Sequence, residues 1–563
     1  MGCSSANLGF QYREFGFLSR AISCFRFTAL VQKHRGWNYH GGAVLPDIRV
    51  GSQSSGPERS DRLMIWTRFL ETFQFALEPT NLLFCAIGCI LGTVVGVLPG
   101  IGPAATCAML LSLTTYLPPE SSLIMLAGIY YGSQYGGSIT SILVNVPGES
   151  SSVVTCLDGF PMAKRGMAAE ALAIAAIGSF VAGTFGTTIL LFAAPFFAEL
   201  GLRFGPPEYV WLMVFGLTGV ASFSGESLSK GFVSVALGAL LASVGLDPVS
   251  GYQRLTFGWS PLIGGLELVS LFMGLFGVSE IVGSLAEGGK AVFIGKMDRW
   301  WPPVKNLFPG FWAIVRGTLV GFFPGMLPGI SPSLTSFWAY DLEKRISKTP
   351  EKFGQGAIKG VASPESANNA SSQAGFIPLL CFGIPTSATT AIILAALMVQ
   401  GLQPGPLLFE RHAHLTWAII GSMYVGNVML LVLNLPLVGI WAKLTLVPYK
   451  ILGPMVLGFC FIGSYSVRNS MFDVAICMLS GILGFVMKKR GWPAIALVLG
   501  FLLADALERS LRQSLGISGG NIGILVQSPI AKGIAITNLV LLTIAIYSEV
   551  KRKKKNASDK VGA

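Results

Sequence analysis

Long apolar stretches recur along this chain, and two of them are interrupted by the same glycine–proline pattern. The first copy reads Gly92-Thr-Val-Val-Gly96-Val-Leu-Pro99-Gly100-Ile-Gly102-Pro103, and the second Gly317-Thr-Leu-Val-Gly321-Phe-Phe-Pro324-Gly325-Met-Leu-Pro328-Gly329. About 20 apolar residues let a helix cross the hydrocarbon core of a bilayer, and Ala171–Phe197, Leu415–Ala442 and Ile530–Ser548 read as such spans. A proline inside one removes a backbone donor and clashes with the preceding turn. Backbone freed at membrane depth is tolerated only where protein or a wet cavity covers it. A matched pair of such breaks in two halves of a chain is the sequence mark of a transporter's binding site.

Composition supports the membrane reading. Only 12% of the 563 residues are charged, against about 25% in soluble domains. The expected fold is an all-α polytopic membrane protein with about 11–13 spanning or half-spanning segments. The net charge of +12 is assigned to basic loops on the cytoplasmic face rather than to nucleic-acid binding. Lys551-Arg-Lys-Lys-Lys555 follows the last apolar segment and predicts a cytoplasmic C-terminus. The nine cysteines contain no Cys-x-x-Cys pair, and Cys85 and Cys89, one turn apart, read as a helix face rather than a metal site. The histidines form no His-Glu-x-x-His arrangement, and there is no P-loop or Ser/His/Asp constellation, so no enzyme activity is expected. Residues 1–63 differ from the rest in being polar and mixed. They read as an over-extended start or a disordered arm before Met64, with a targeting segment as the alternative; Met1-Gly-Cys-Ser-Ser-Ala6 falls short of a myristoylation signal by its Ala6.

The self-similarity extends beyond the opening motif. Gly137 and Pro147 match Gly375 and Pro385, and Gly258-Trp259-Ser-Pro261 resembles Gly491-Trp492-Pro493. Each half has the order helix, break, short helix, polar stretch, second break, plain helices. The expected division is repeat one over 64–300, repeat two over 301–515, a last transmembrane helix over 516–550 and a basic tail over 551–563. Loop charges differ at matched positions. Lys344, Arg345, Lys348 and Lys352 follow the short helix of the second half, where the first has Leu117-Pro-Pro-Glu120. Lys164-Arg165 stands where the second half has Gly401-Leu-Gln-Pro-Gly405. Positive loops mark the cytoplasm, so the two repeats are expected to be inverted, with broken or re-entrant helices.

The breaks carry the chemistry. Pro99, Pro103, Pro147, Pro324, Pro328 and Pro385 are the expected helix breaks. The segment Ala104–Leu117 is too short to span and reads as a half-helix whose N-terminus, with its free N–H groups, suits a carboxylate. Gly100, Gly102, Ser138, Asn145, Gly148, Ser150, Gly329, Ser331, Thr386 and Ser387 are the expected substrate-binding residues. Glu149, Asn368, Asn369 and Ser371 are expected at the coupling ion, sodium or a proton; no other cofactor is expected. Ser363-Pro-Glu365-Ser-Ala-Asn368-Asn369-Ala-Ser371-Ser372 reads as a polar stretch that enters the membrane without a solvated spacer, with a hydrophilic loop as the alternative. Asn427 and Asn434 read as glue between helices, and Glu267, Glu280 and Asp505 as residues near helix ends.

From Met64 onward the chain resembles the large membrane subunit of tripartite tricarboxylate transporters, the TctA family. The resemblance rests on Gly92–Pro103, Tyr130–Ser152 with Asn145-Val-Pro-Gly-Glu149, Asp158-Gly-Phe-Pro161, Gly356-Ala-Ile-Lys-Gly-Val361, Pro364-Glu-Ser-Ala-Asn-Asn369 and Gly401-Leu-Gln-Pro-Gly-Pro406. The second copy departs from the family's Pro-Gly-x-Gly by four added residues and by Ser331 in place of a glycine, and Thr386 stands where the family often has glycine. The resemblance implies a secondary transporter of the bacterial inner membrane that takes up a tricarboxylate, dicarboxylate or similar acid. It implies two partners, a small four-helix membrane subunit (TctB-like) and a periplasmic binding protein (TctC-like). An anion-selective channel or uncoupled permease and an intramembrane enzyme are the rival readings.

Overall fold

The computed structural model describes residues 72–98, 102–223, 227–247, 250–287, 302–438, 440–441 and 449–561. The expectations placed on residues 1–63, Met64, Pro99 and Gly100 lie outside these residues. The chain is an all-α, multi-pass membrane protein. Among the described residues six helices are long and apolar enough to cross a membrane, and four shorter helices are apolar.

Prolines set the helix starts. Helices α1 (Pro79–Val97), α2 (Pro103–Thr114) and α3 (Pro119–Leu143) each begin on one, where the missing N–H would be unpaired in any case. α1 and α3 lie in contact and run parallel. A Cβ on Gly88, Gly92 or Gly96 would stand 2.4, 2.6 or 2.3 Å from the carbonyl oxygens of Met125, Ile129 and Ser133. Glycine at every fourth position strips one helix face and lets the two backbones touch. α2 must therefore carry the chain back to the start of α3, and at about 1.5 Å per residue its 12 residues cover about 18 Å, less than the ~30 Å hydrocarbon layer.

Helices α4 (Thr155–Lys164), α5 (Ala168–Leu202), α6 (Pro206–Phe223) and α7 (Leu228–Ala242) follow. A short antiparallel ladder pairs β1 (Gly245–Leu246) with β2 (Gln253–Arg254). A π-helical turn, Met273–Val278, joins α8 (Leu268–Phe272) to α9 (Ser279–Glu287). The second half then opens with α10 (Val304–Leu307), α11 (Phe311–Gly325), α12 (Pro332–Ile346) and α13 (Lys359–Ala374). It repeats the first arrangement. α11 and α13 run parallel in contact, and a Cβ on Gly317 or Gly321 would stand 2.2 Å from Ser363 O or 2.2 Å from Ala367 O. The remaining helices are α14 (Phe376–Phe382), α15 (Ala388–Val399), α16 (Pro406–Arg411), α17 (Ala413–Asn434), α18 (Tyr449–Arg468), α19 (Met471–Lys489), α20 (Ala494–Ile517) and α21 (Pro529–Val561).

α3 and α13 form the centre, buried continuously over Ser121–Leu143 and Gly360–Ala374. α5 packs on α13, and α17 packs on α1, α3 and α5. Asn427 ties three of these together: its Nδ2 donates to Phe180 O at 2.8 Å and Thr184 Oγ1 at 3.0 Å on α5, and its Oδ1 accepts from Tyr135 on α3 at 2.6 Å. Cys85 and Cys89 face α17, where their thiols meet Ser422 O and Gly426 O.

Several expectations are corrected. Gly92, Gly96, Gly317 and Gly321, the glycines of the duplicated pattern, lie inside helices as the contact ridge just described. Pro324 sits in the last turn of α11, so the second-half break begins after it, at Met326. α12 runs through Lys344 and Arg345, which therefore belong to the short helix rather than follow it. The stretch from Ser363 to Ser372 is neither loop nor break but the interior of α13. The span expected over Leu415–Ala442 ends at Asn434. Asn434 glues nothing: its Nδ2 bonds Leu430 O in its own helix. Asp505 lies in the middle of α20, whereas Glu267 caps α8 and Glu280 lies in the first turn of α9, as expected.

Candidate functional site

Within each half the described parts of the two breaks touch. α1 ends at Val97, and α2 restarts at Pro103 with Gly102 as its N-cap. After α3 the chain turns through Asn145, in the left-handed region at φ 56°, then Pro147 and Gly148, and enters a 3-10 turn over Ser150–Val153. Gly148 is pressed onto the end of α1. A Cβ there would lie 1.8 Å from Gly96 O and 2.8 Å from Gly137 Cα. In the second half the break after α11 holds Pro328, Gly329 and Ser331, the N-cap of α12. It meets the break after α14, because Gly329 N donates to Thr386 O at 3.2 Å. Gly383, at φ 70°, ends α14; the buried Pro385 follows, and Ser387 caps α15 by accepting from Thr390 N.

The two halves also meet at these breaks. Ser150 Oγ lies 2.7 Å from Ser333 Oγ in the first turn of α12, and Tyr130 OH on α3 lies 3.3 Å from Ser387 Oγ. Ser138 Oγ on α3 donates to Glu365 Oε2 on α13 at 2.5 Å, and Thr155 Oγ1 on α4 donates to the other carboxylate oxygen.

α13 supplies the polar face of the site. Glu365, Asn368 and Ser371 follow at i, i+3 and i+6, which places them along one side of a helix. Asn368 is 1% exposed, yet among the described residues neither its Nδ2 nor its Oδ1 has a partner, and Ser371 Oγ and Gln373 Oε1 are likewise unpaired. Burying an amide without hydrogen bonds costs on the order of 1–3 kcal/mol. Asn369, one residue on and so rotated about 100°, turns elsewhere. Its Nδ2 donates to Ser179 Oγ on α5 at 2.7 Å and to Glu365 O at 3.1 Å. Glu149 caps the 3-10 turn and bonds Ser151, and Ser151 Oγ also donates to Gln134 Oε1 on α3 at 2.8 Å. Asn145 and Ser150 are exposed, at the rim rather than in the interior.

The sequence expectation omits Glu365, Thr155, Tyr130 and Gln134. Tyr130, Gln134 and Ser138 recur at every fourth residue of α3, and this spacing is the signal that finds them. It also misses the role of Asp158, which is fully buried. Its carboxylate accepts from Gly354 N, Gly356 N and Ala357 N at 2.9, 2.7 and 2.7 Å and from Tyr340 OH at 2.9 Å. One acidic side chain of the first half thus holds the loop leading into α13.

Comparison with known proteins gives the following. A family model described as "Tripartite tricarboxylate transporter TctA family" matches residues 82–499. An uncharacterized 52.8 kDa protein in the TAR-I ttuC' 3' region of Agrobacterium vitis is 45% identical over 483 residues, 86% of this chain and 96% of that protein. An uncharacterized protein in the TAR-II ttuC' 3' region of the same organism is 44% identical over 234 residues, 42% of this chain and 97% of that protein. No solved structure matches the chain.

Proposed function

The chain belongs to the tripartite tricarboxylate transporter TctA family, and on that premise we propose that it is the large membrane subunit of an ion-coupled importer of organic carboxylates. The substrate class is a tricarboxylate, dicarboxylate or similar acid, delivered by a periplasmic binding protein (TctC-like) with a small four-helix subunit (TctB-like) alongside. The observation that carries this reading is Asn368: a buried amide on α13 with neither polar atom paired among the described residues, on the helix whose Glu365 bonds the first half. A ligand that bonds it recovers the desolvation cost.

The carboxylates are held by the N-termini of α2, α12 and α15, where backbone donors and the helix dipole favour an anion. Gly102, Gly148 and Gly329, with Gly100 outside the described residues, are read as substrate-binding positions, and Ser138, Asn145, Ser150, Ser331, Thr386 and Ser387 supply side-chain bonds. The coupling ion, sodium or a proton, is read at Glu149, Asn368, Asn369 and Ser371. The two halves are inverted repeats with re-entrant segments, and one moves against the other to alternate access. The protein sits in the bacterial inner membrane with its C-terminus in the cytoplasm and carries out no covalent chemistry.

Uptake of labelled citrate, tartrate and succinate into cells lacking the gene, with and without the restored chain and its two partners, tests the reading. The expected result is accumulation above the external concentration that collapses when the ion gradients are dissipated. Flux that only equilibrates the two sides favours the channel reading instead.

A further inference from the structure

Glu365 is 0% exposed and lies where the two halves touch. Both of its hydrogen-bond donors, Ser138 on α3 and Thr155 on α4, belong to the first half, while Glu365 itself belongs to the second. No Lys, Arg or His among the described residues pairs with it. The ionisable groups within electrostatic reach are Tyr135 on α3, Cys156 on α4 and Glu149 at the 3-10 turn, none of them cationic. Asp158 on α4 is taken up by the 354–357 backbone and Tyr340, and Glu343 on α12 by Arg316 on α11. From α5 the polar neighbour is Ser179, bonded through Asn369. A buried carboxylate without a cation is costly to keep charged, and a hydroxyl partner accepts a bond from a carboxylic acid as readily as it donates one to a carboxylate.

A small cavity adjoins this group. A water-sized cavity is lined by Tyr135, Ser138, Ser179 and Asn434 on one side and by four apolar side chains of α3 and α5 on the other. Asn434 is 4% exposed, and its Oδ1 has no partner among the described residues. The cavity has room for one water, with the Asn434 amide oxygen and the Ser138 hydroxyl as its polar partners. Ser138 lines that cavity while its hydroxyl bonds Glu365.

We propose that Glu365 carries the coupling proton of transport and receives it through a water held at Asn434 and Ser138. This rests on the reading of the chain as an ion-coupled carboxylate importer; it names the ion as a proton and moves its carrier from Glu149, Asn368, Asn369 and Ser371 to Glu365, whose backbone carbonyl Asn369 bonds. A proton from water on one side binds a Glu365 carboxylate oxygen and cancels one negative charge. The same proton returns to water on the other side when the carboxylate re-forms. In the charged state Ser138 and Thr155 hold α3 and α4 against α13 through charge-assisted bonds, which are about twice as strong as neutral ones. Protonation weakens that clasp between the halves, and re-ionisation restores it.

Infrared difference spectra of the full chain in detergent, recorded as pH is stepped, test the proton site directly. The wild type is expected to show the C=O stretch of a buried carboxylic acid. Glu365→Gln removes that band, and Ser138→Ala, which keeps the carboxyl group but removes one hydroxyl, shifts its frequency. Identical carboxyl bands in wild type and Glu365→Gln overturn the proposal. In proteoliposomes holding the complete three-subunit complex without sodium, an inward proton gradient is expected to drive accumulation of whichever of citrate, tartrate or succinate is transported. Glu365→Gln is expected to accumulate about tenfold less, an effect of about 1.4 kcal/mol. Accumulation that requires sodium and ignores the proton gradient overturns the proton assignment and leaves the importer reading standing. A normal infrared titration with no carboxylate accumulation overturns the importer reading, and with it the coupling role of the proton site.

Discussion

Gly321→Ala tests whether the glycine ridge, rather than the proline breaks alone, sets the geometry of the site. The new Cβ would lie 2.2 Å from Ala367 O, 2.5 Å from Ala367 Cα and 2.7 Å from Ala367 C, where ordinary contact begins at 3.4 Å. The obstacle is backbone, so no rotamer change relieves it, and α13 must retreat from α11 by about 1 Å. Overpacking of this kind costs about 1–3 kcal/mol, and more when the neighbour is rigid. Ala367 precedes Asn368, so the same shift displaces the unpaired amide. A 1 Å misplacement of a positioned group costs about 100-fold in rate. The expected result is a lowered thermal-unfolding midpoint in detergent and a loss of initial uptake rate, per molecule in the membrane, that exceeds the loss of stability. Gly96→Ala, whose Cβ would stand 2.3 Å from Ser133 O, is expected to behave alike in the first half. Gly458→Ala on α18 has nothing within 4 Å of its Cβ and is expected to match the wild type or gain about 0.5–1 kcal/mol. If Gly321→Ala and Gly458→Ala prove indistinguishable in stability and uptake, the close-approach reasoning is refuted.

Asn368→Ala and Pro385→Ala are each expected to abolish carboxylate uptake while immunoblots show normal membrane insertion; wild-type uptake in both removes the site assignment. Asp158→Ala leaves three part-buried backbone N–H groups and the Tyr340 hydroxyl without their acceptor and is expected to cost about 1–3 kcal/mol. Asp158→Asn keeps one oxygen and is expected to cost less, and equal midpoints for Asp158→Ala and wild type exclude the clamp. Outside the membrane core, Glu508 is held below the usual carboxylate range by its hydrogen bonds to Arg254, against the opposing effect of burial. A depressed carboxylate stabilises the fold fully above its unfolded pKa of about 4.3, and that contribution is lost as pH falls through its folded value. Arg254→Met is therefore expected to lower the unfolding midpoint by a constant amount above about pH 5 and by progressively less in stronger acid. A gap that stays constant down to pH 3, about one unit below the usual carboxylate range, refutes the linkage.

The breaks were legible in the sequence because proline acts locally. Pro103 restarts a helix and Pro147 and Pro385 stand in the breaks, whereas Pro161, Pro195 and Pro364 are carried inside helices, and Gly383 and Asn145 take left-handed backbone where such residues are favoured. The ridge glycines were visible but open to misreading, since a glycine every fourth residue looks the same as a flexible stretch until the second helix is placed against it. Asn368 and Asn369 looked equivalent as neighbours in one motif. The turn of α13 separates them, one bonded to α5 and the other left unpaired.

The order of apolar spans, the helix starts on proline and the duplicated breaks belong to the sequence by itself, because backbone sterics and hydrophobicity act within a few residues. That Ser363–Ser372 forms a helix was decided by tertiary structure. Its serines and asparagines favour turns in isolation, and only burial against α3, α5 and α11 makes the intrahelical bonds the best available to its backbone. The pairing of Ser138 with Glu365 across 227 residues was decided there too, since a buried carboxyl group takes its partners from whatever the packed helices bring within reach.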